Sequence, residues 1–284
     1  MQLAFSKMQG LGNDFVVFDG VRQTVELTPA MLRALADRRF GVGCDQILVV
    51  RPPRDPANDF AYQIFNGDGT EVEHCGNGAR CFARFVHEQG LSERKELRVE
   101  TVNRRLVLHR HDDGRVTVDM GVPGLEPAQL PMHTTQPGPF QTLQVAGERI
   151  ELTVVSMGNP HAVQRVTEVE QAPVATQGPH IEHHPAFPAR VNAGYLEVVD
   201  PHTIRLRVWE RGAGETLACG TGACAAAVSG VLRGWLASPV KVHTHGGDLD
   251  IAWNGPGQAL LMTGAAATSF AGRVDPLALS RNLP

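Results

Sequence analysis

The sequence predicts an α+β protein built from two similar domains, and three observations carry the prediction. Short apolar or alternating runs bounded by Gly, Pro, Asn and Asp dominate the chain, helical periodicity is confined to a few places, and a cysteine–glycine motif recurs, as HCGNGARC at 74–81 and ACGTGACA at 218–225. Runs of the first kind read as strands because successive side chains point to opposite faces of a sheet. A length of 284 residues also exceeds the usual single core, which favours two domains.

In the first half, strands are expected at 14–18, 46–50, 60–65, 104–109 and 115–119. A helix is expected over 29–39, with Thr28 as N-cap, Pro29 in the first turn, Leu32, Leu35 and Ala36 on one face, and Gly41 as the stop. A second helix starts just after Cys75, carries Ala79, Phe82, Ala83 and Val86 on one stripe, and ends at Gly90. The Pro-rich stretch from Val122 to Pro139 reads as an irregular interdomain linker, so the first domain is expected to span 1–119. In the second half, strands are expected at 151–155, 195–199, 203–209, 240–244, 249–253 and 259–263. The third helix starts just after Cys219; its run GACAAAVSGVL is small and apolar nearly all round, which suits a helix surrounded by sheet.

The two halves can be laid on each other. Cys219 follows Cys75 by 144 residues, and at that offset Phe65 falls on Trp209, Asn66 on Glu210 and Glu71 on Glu215. GNDFVV at 12–17 echoes GNPHAV at 158–163, at an offset of 146. A repeat this long is a duplicated domain rather than a solenoid period. Its natural arrangement is a pseudo-twofold pair with the active site in the crevice between the copies.

Composition narrows the function. Hydrophobic residues make up 42% and charged residues 20%, ordinary for a globular enzyme, and the formal net charge is −4. With no basic run or basic–aromatic patch, neither nucleic acid nor an anionic membrane is an expected partner, and a small polar substrate fits better. The first ten residues lack a secretory layout and no run of about 18 apolar residues could cross a bilayer, so a cytoplasmic location is expected. Five cysteines in such a compartment are thiols, and serve packing, metal binding or reactivity.

A cysteine immediately before a helix meets unpaired backbone N–H groups and the positive end of the helix dipole. Both favour thiolate, and such placement lowers a thiol pKa from roughly 8.5 toward about 3.5–7.5. Glycines let the backbone approach a ligand, and the same N–H groups can hold a carboxylate. Two such helix starts facing one bound carbon put a thiol on each side of it. One sulfur then removes the α proton and the other returns one to the opposite face, a two-base epimerisation or racemisation. Because the carboxylate gains charge as the α carbon becomes carbanionic, the helix ends favour the transition state over the ground state.

The expectation is of no cofactor and no metal. Lys7, Lys95 and Lys241 are the only lysines, and none lies in a glycine-rich phosphate cradle. GTGACA at 220–225 formally matches a dinucleotide fingerprint, but no clean strand precedes it and no acid follows about 20 residues on. His180, His183 and His184 cluster in GPHIEHHP and read as a solvated loop, and the cysteine spacings fit a zinc knuckle poorly. Cys44, Cys81 and Cys224 sit in apolar patterns and are read as packing residues. Asn13, Asn66, Asn159 and Asn192 lie beside strand ends, either as turn residues or for recognition. Arg211 can grip a carboxylate bidentately, while Glu210 and His161 are titratable and can tune the thiols or bind an ammonium group.

These motifs resemble the diaminopimelate epimerase family. The resemblance runs nearly end to end, through KMQGLGNDFVVFDG, RRFGVGCDQ, FNGDGTEVEHCGNGARCFARFV, SMGNPHAV, RVNAGYLEV and RVWERGAGETLACGTGACAAAV. It implies cofactor-independent interconversion of LL- and meso-diaminopimelate, for lysine and peptidoglycan precursors, with Cys75 and Cys219 as the catalytic pair. It implies substrate contacts at Asn13, Gln46, Asn66, Gly76, Asn77, Asn159, Asn192, Glu210, Arg211, Gly220 and Thr221, with His161 and Glu210 adjusting acid and base strength. The implied fold is two pseudo-symmetric domains, each a curled mixed or antiparallel sheet wrapped around a central helix. The second domain spans 120–264 and the tail 265–284 returns to the first. A homodimer is implied too, with a contact at Phe270, where the family often carries Tyr; the tail beyond Phe270 has no reading. Two alternatives stand beside this one: a proline-racemase-like epimerase, and a thiol redox or metal-binding module.

Overall fold

The computed structural model describes residues 2–72 and 75–281. Glu73 and His74, beside the first cysteine motif, and the last three residues lie outside the described residues. The chain divides into two compact units, Met1–Val118 with Gly264–Pro284, and Asp119–Thr263.

The first unit runs β1 (Leu3–Gly10), β2 (Asn13–Asp19), α1 (Pro29–Ala36), β3 (Gln46–Arg51), β4 (Phe60–Asn66), β5 (Glu71–Val72), α2 (Gly76–Glu88), β6 (Glu96–Glu100), β7 (Arg105–Arg110) and β8 (Val116–Gly121). The second runs β9 (Phe140–Val145), β10 (Glu148–Ser156), β11 (Pro160–Arg165), α3 (Val174–Glu182), β12 (Asn192–Asp200), β13 (Thr203–Glu210), β14 (Gly214–Thr216), α4 (Gly220–Leu232), β15 (Val240–Thr244), β16 (Gly247–Trp253) and β17 (Leu260–Gly264). The chain then adds β18 (Ala267–Val274) and α5 (Pro276–Arg281) to the first unit.

Both units use one pairing scheme. In the first, β1 is antiparallel to β18 and β2, β2 is parallel to β3 across α1, and β4 is parallel to β6 across α2. In the second, β10 is antiparallel to β9 and β11, β11 is parallel to β12 across α3, and β13 is parallel to β15 across α4. Parallel neighbours need a crossover, and the helices supply it. Strands from both ends of each sheet touch its second helix: α2 meets β18, β1 and β7, and α4 meets β10 and β16. The sheets are therefore curled around these helices, in an α+β fold.

A helix in that position is buried all round, and the residues of α2 and α4 show how. Gly76 to Ala83 are all buried, including Arg80 at 0% exposure, so α2 is not the one-sided helix its apolar stripe suggests. Arg80 Nη2 donates to Asn77 Oδ1 at 2.9 Å and its Nε to the Ala265 carbonyl at 3.1 Å. In α4, Gly222 to Gly230 are buried. Cys44, Cys81 and Cys224 are buried, as their apolar settings suggest.

The structure corrects several boundaries. The first helix stops at Ala36 rather than 39, with Asp37 as its C-cap. Strands form at β1, β5, β6, β9, β11, β14 and β18 where none was expected. GPHIEHHP is not a solvated loop. Its first five residues close α3, Glu182 is buried, and His184 lies within 3.1 Å of the Gln144 carbonyl. The tail after Phe270 continues β18 and then forms α5, which packs on α1. The 122–139 stretch is irregular apart from a 3-10 turn at Pro127–Gln129 and a bridge between Gly124 and Ser156.

Candidate active site

Each unit places one motif cysteine at the start of its central helix. Cys75 and Cys219 are the N-cap residues of α2 and α4, both extended, at φ −138° and −112°. Both helices are 13 residues long. The first intrahelical bonds run from Ala79 N to the Cys75 carbonyl at 2.8 Å and from Ala223 N to the Cys219 carbonyl at 2.9 Å. That leaves the N–H groups of Gly76 to Gly78, and of Gly220 to Gly222, without an intrahelical acceptor, as at any helix start.

The second glycine of each motif is there for packing rather than for a ligand. A Cβ on Gly78 would lie 2.5 Å from Tyr62 Oη and 3.2 Å from the Phe15 ring. On Gly222 it would lie 3.0 Å from Val208 Cγ2 and 3.2 Å from Cys219 Sγ. The start of α2 is thus pressed against β4 and β2, and the start of α4 against β13.

Two amides lie beside Cys75 among the described residues. Asn13 Nδ2 donates to Asp45 Oδ2 at 2.9 Å, which fixes the amide so that Oδ1 faces the motif. Cys75 Sγ then donates to Asn13 Oδ1 at 3.6 Å and Asn77 Nδ2 approaches the same oxygen at 3.4 Å. Asp45 itself is held by Arg38 at 2.6 Å, and Arg38 also grips Asp14, which pairs with Lys7 at 2.5 Å. Burial would raise the Asp14 carboxyl, but hydrogen bonds from Arg38 and Lys7 outweigh it and hold the group far below the usual carboxylate range. Gln46 and Asn66 are directly opposite on β3 and β4, and Gln46 Nε2 donates to Asn66 Oδ1 at 2.9 Å.

Around Cys219 the partners are titratable. Burial pushes the Cys219 thiol well above its ordinary value, and the nearby Glu210 carboxylate adds to the rise. At 5% exposure, desolvation of the charge opposes the thiolate that a helix start favours. Thr221 Oγ1 lies 3.6 Å from the sulfur. His161, fully buried, sets Nε2 3.0 Å from that hydroxyl and 3.2 Å from Asn159 Oδ1. Burial and the Arg211 charge push His161 down to about 3, so the ring is neutral at pH 7. Its Nδ1 has no hydrogen-bond partner among the described residues and Asn159 Oδ1 only accepts, so the hydrogen sits on Nε2. Asn159 Nδ2 also donates to Thr221 at 3.3 Å. The single Nε2–H of His161 is shared between Asn159 Oδ1 and Thr221 Oγ1, and with the Asn159 amide also donating to it the Thr221 oxygen can turn its own O–H toward the sulfur.

Glu210 accepts a short hydrogen bond from Thr216 Oγ1. Asn192 donates to the Pro160 carbonyl at 2.9 Å and accepts from Arg211 N at 2.8 Å, and the Arg211 guanidinium is exposed with Nη1 on the Ala189 carbonyl at 2.9 Å. Within the first unit, the structure thus brings Asn13, Gln46, Asn66, Gly76 and Asn77 to the Cys75 end of α2 or the adjoining strand ends. Within the second, Asn159, His161, Glu210, Gly220 and Thr221 surround Cys219, and Asn192 and Arg211 adjoin them. Phe270, half exposed on β18, stacks edge-on against Phe5 at 6.1 Å and belongs to neither cluster. Sequence reasoning missed Asp45, Arg80, Tyr62 and Thr216, whose roles are to hold other residues; only the quoted RRFGVGCDQ segment pointed toward Asp45.

Comparison with solved structures defines the class. The chain is similar in fold to a hydroxyproline epimerase from Agrobacterium vitis with bound trans-4-hydroxy-L-proline, at TM-score 0.69 and 18% identity, covering 98% of this chain and 95% of that one. It is similar also to a phenazine biosynthesis protein of the PhzF family from Enterococcus faecalis, at TM-score 0.66 and 13% identity, covering 97% and 100%. At these identities the likeness shows the shared two-domain fold. Sequence carries the matter further. The family model for diaminopimelate epimerase matches residues 5–125 and 153–269. Proteins named diaminopimelate epimerase from Aromatoleum aromaticum and Cupriavidus taiwanensis are 63% identical over 275 residues and 59% identical over 286. Those alignments cover 97% and 98% of this chain and 99% of each relative. The chain belongs to the diaminopimelate epimerase family, a family of isomerases.

Proposed function

We propose that the protein interconverts LL- and meso-diaminopimelate without a cofactor, using Cys75 and Cys219 as the two proton-transfer groups. The observation that carries this reading is the pair of thiols at the starts of two matching 13-residue helices, in a chain whose named relatives are diaminopimelate epimerases over nearly their full length. One sulfur removes the α proton while the other returns a proton to the opposite face, and reversing the reaction exchanges the parts. Gly76, Asn77, Gly220 and Thr221 offer the backbone N–H groups of both helix starts to the reacting carboxylate, where they stabilise the charge that builds in the transition state. Asn13, Gln46, Asn66, Asn159 and Asn192 supply neutral hydrogen-bonding groups, and Glu210 and Arg211 take the distal ammonium and carboxylate. His161 acts on Cys219 through Thr221, and Glu210 acts on it by charge.

The same reading gives a homodimer with Phe270 at its contact, and a cytoplasmic enzyme supplying lysine and cell-wall synthesis. No helix among the described residues is long and apolar enough to cross a membrane. The test is epimerisation of LL-diaminopimelate in deuterated water. Product carrying solvent deuterium at the inverted carbon is expected, and product without it overturns the two-base assignment. Turnover of proline with no turnover of diaminopimelate would overturn the substrate assignment instead.

A further inference from the structure

Glu182 is a charged residue with its side chain only 4% exposed, and the reaction described above has no use for it. It ends α3, one turn after Gly178. Gly178 is where the Trp209 ring lies against the helix: a Cβ there would sit 2.6 Å from Trp209 Cγ. The ring's nitrogen then reaches forward to the carboxylate. Trp209 Nε1 donates to Glu182 Oε2 at 2.8 Å and Gly212 N donates to Oε1 at 2.9 Å. The two residues between those donors are Glu210 and Arg211. A third donor, Arg190 Nη1, lies 3.4 Å from Oε1, and it comes from the loop whose Ala189 carbonyl receives the Arg211 guanidinium. Arg190 is held at φ 60°, a left-handed conformation unusual for a side chain of its size.

We propose that Glu182 is a positioning residue for Arg211: its carboxylate fastens both ends of the Trp209–Gly212 segment, and the loop under the guanidinium, so that Arg211 stands preset for a carboxylate of the substrate. This rests on the assignment of Arg211 to the distal carboxylate. The geometry requires two acceptor oxygens on one side chain. Each oxygen of the carboxylate takes one N–H of the Trp209–Gly212 segment, and Arg190 adds a charged donor to Oε1, so an amide in its place sets a donor against Trp209 Nε1–H or Gly212 N–H. Burial would raise the Glu182 carboxyl, but hydrogen bonds from Trp209 and Gly212 outweigh it and hold the group below its ordinary value, as a standing carboxylate. An arginine whose backbone and guanidinium are both preset loses less freedom when it binds, so the effect belongs in substrate affinity.

The experiment is a double-mutant cycle on the full-length enzyme, with Glu182→Gln and Arg211→Ala made singly and together and KM and kcat measured for diaminopimelate. Glu182→Gln is expected to raise KM at least tenfold while kcat changes less than threefold, and to add nothing in the Arg211→Ala background. A purely structural role for Glu182 gives the same penalty in both backgrounds, which overturns the proposal, as does a KM unchanged by Glu182→Gln. If Arg211→Ala alone leaves KM unchanged, the carboxylate assignment has failed before Glu182 is touched, and the proposal falls with it. Should Glu182→Gln not fold, Trp209→Phe, which removes the indole donor together with part of the ring packed at Gly178, is read by the same criteria, with its cost in the Arg211→Ala background reporting the packing loss.

Discussion

Thr221→Val is the sharpest single test of how Cys219 is controlled. The substitution keeps the shape and deletes the hydroxyl that lies 3.6 Å from Cys219 Sγ and takes donors from His161 and Asn159. A hydrogen bond to a charged group contributes about 1.5–3 kcal/mol, and a contact this long to sulfur belongs at the lower end, roughly 1.5 kcal/mol. At about 1.4 kcal/mol per pKa unit, the Cys219 thiolate should form about one pH unit later. In a Cys75→Ala background, the pH profile of iodoacetamide alkylation of Cys219 should move up by that amount. In the otherwise unaltered enzyme, kcat/KM should fall about tenfold. Because the equilibrium between the isomers is untouched, the fall must be equal in both directions. Thr221→Ser, which restores the hydroxyl, should recover most of both effects. An unmoved alkylation profile, or a serine variant as impaired as the valine one, refutes the relay from His161 to the sulfur.

Stability should respond to pH at both ends of the scale. His161 is held at about 3 against 6.5 for a free histidine, so the folded state binds fewer protons between those values and loses stability as pH falls through that window. Urea unfolding at pH 5.0 should show about 2 kcal/mol less stability from this residue than at pH 7.5, and His161→Gln should flatten that dependence. Cys44 and Cys81 are pushed up to about 12 by burial, so their contribution is intact below pH 9 and is lost as pH rises toward 12; a Cys44→Ala, Cys81→Ala variant should unfold less readily with alkali. Gly78→Ala should cost about 1–3 kcal/mol in urea unfolding, because the new methyl meets Tyr62 Oη at 2.5 Å, and adding Tyr62→Phe should return part of it. Arg80→Met leaves Asn77 Oδ1 and the Ala265 carbonyl without this donor in a buried place, at about 1–3 kcal/mol for each acceptor left unmet, and differential scanning calorimetry should show the lower Tm.

The elements legible in the sequence were those whose own residues announce them. Thr28 and Pro29 mark α1, the cysteine–glycine motifs mark α2 and α4, and the β15 run VKVHT is bounded by Pro239 and Gly246. The missed elements take their structure from partners. β18 has no buried residue, and it is a strand because β1 needs a neighbour. α3 holds Pro179 and a weak apolar face, but the offset of 146 that matches GNDFVV to GNPHAV also carries α1 onto 175–182. The repeat therefore held the information that local propensity lacked. In the site, the residues that hold others were invisible for a similar reason: a salt-bridged Asp45 or a buried Arg80 looks like surface charge until its partners are known.

The two cysteine motifs share a backbone and differ in the described residues near the sulfur, and the register shows where they parted. Phe15 pairs with Gln46 across β2 and β3, and His161 pairs with Asn192 across β11 and β12, so Phe15 and His161 occupy the same place 146 residues apart. In the first unit that place packs a ring against Gly78; in the second it puts an imidazole on Thr221. At the helix offset of 144, Asn77 is replaced by Thr221 and Asn66 by Glu210. Among the described residues, the amides of Asn13 and Asn77 lie at the Cys75 motif, and Cys219 has a neutral imidazole, a hydroxyl and a carboxylate around it. On the two-base reading proposed above, the two sulfurs hold different protonation states at the same moment, and substitutions at three matched positions give them different neighbours without altering the strands and helices that carry the thiols.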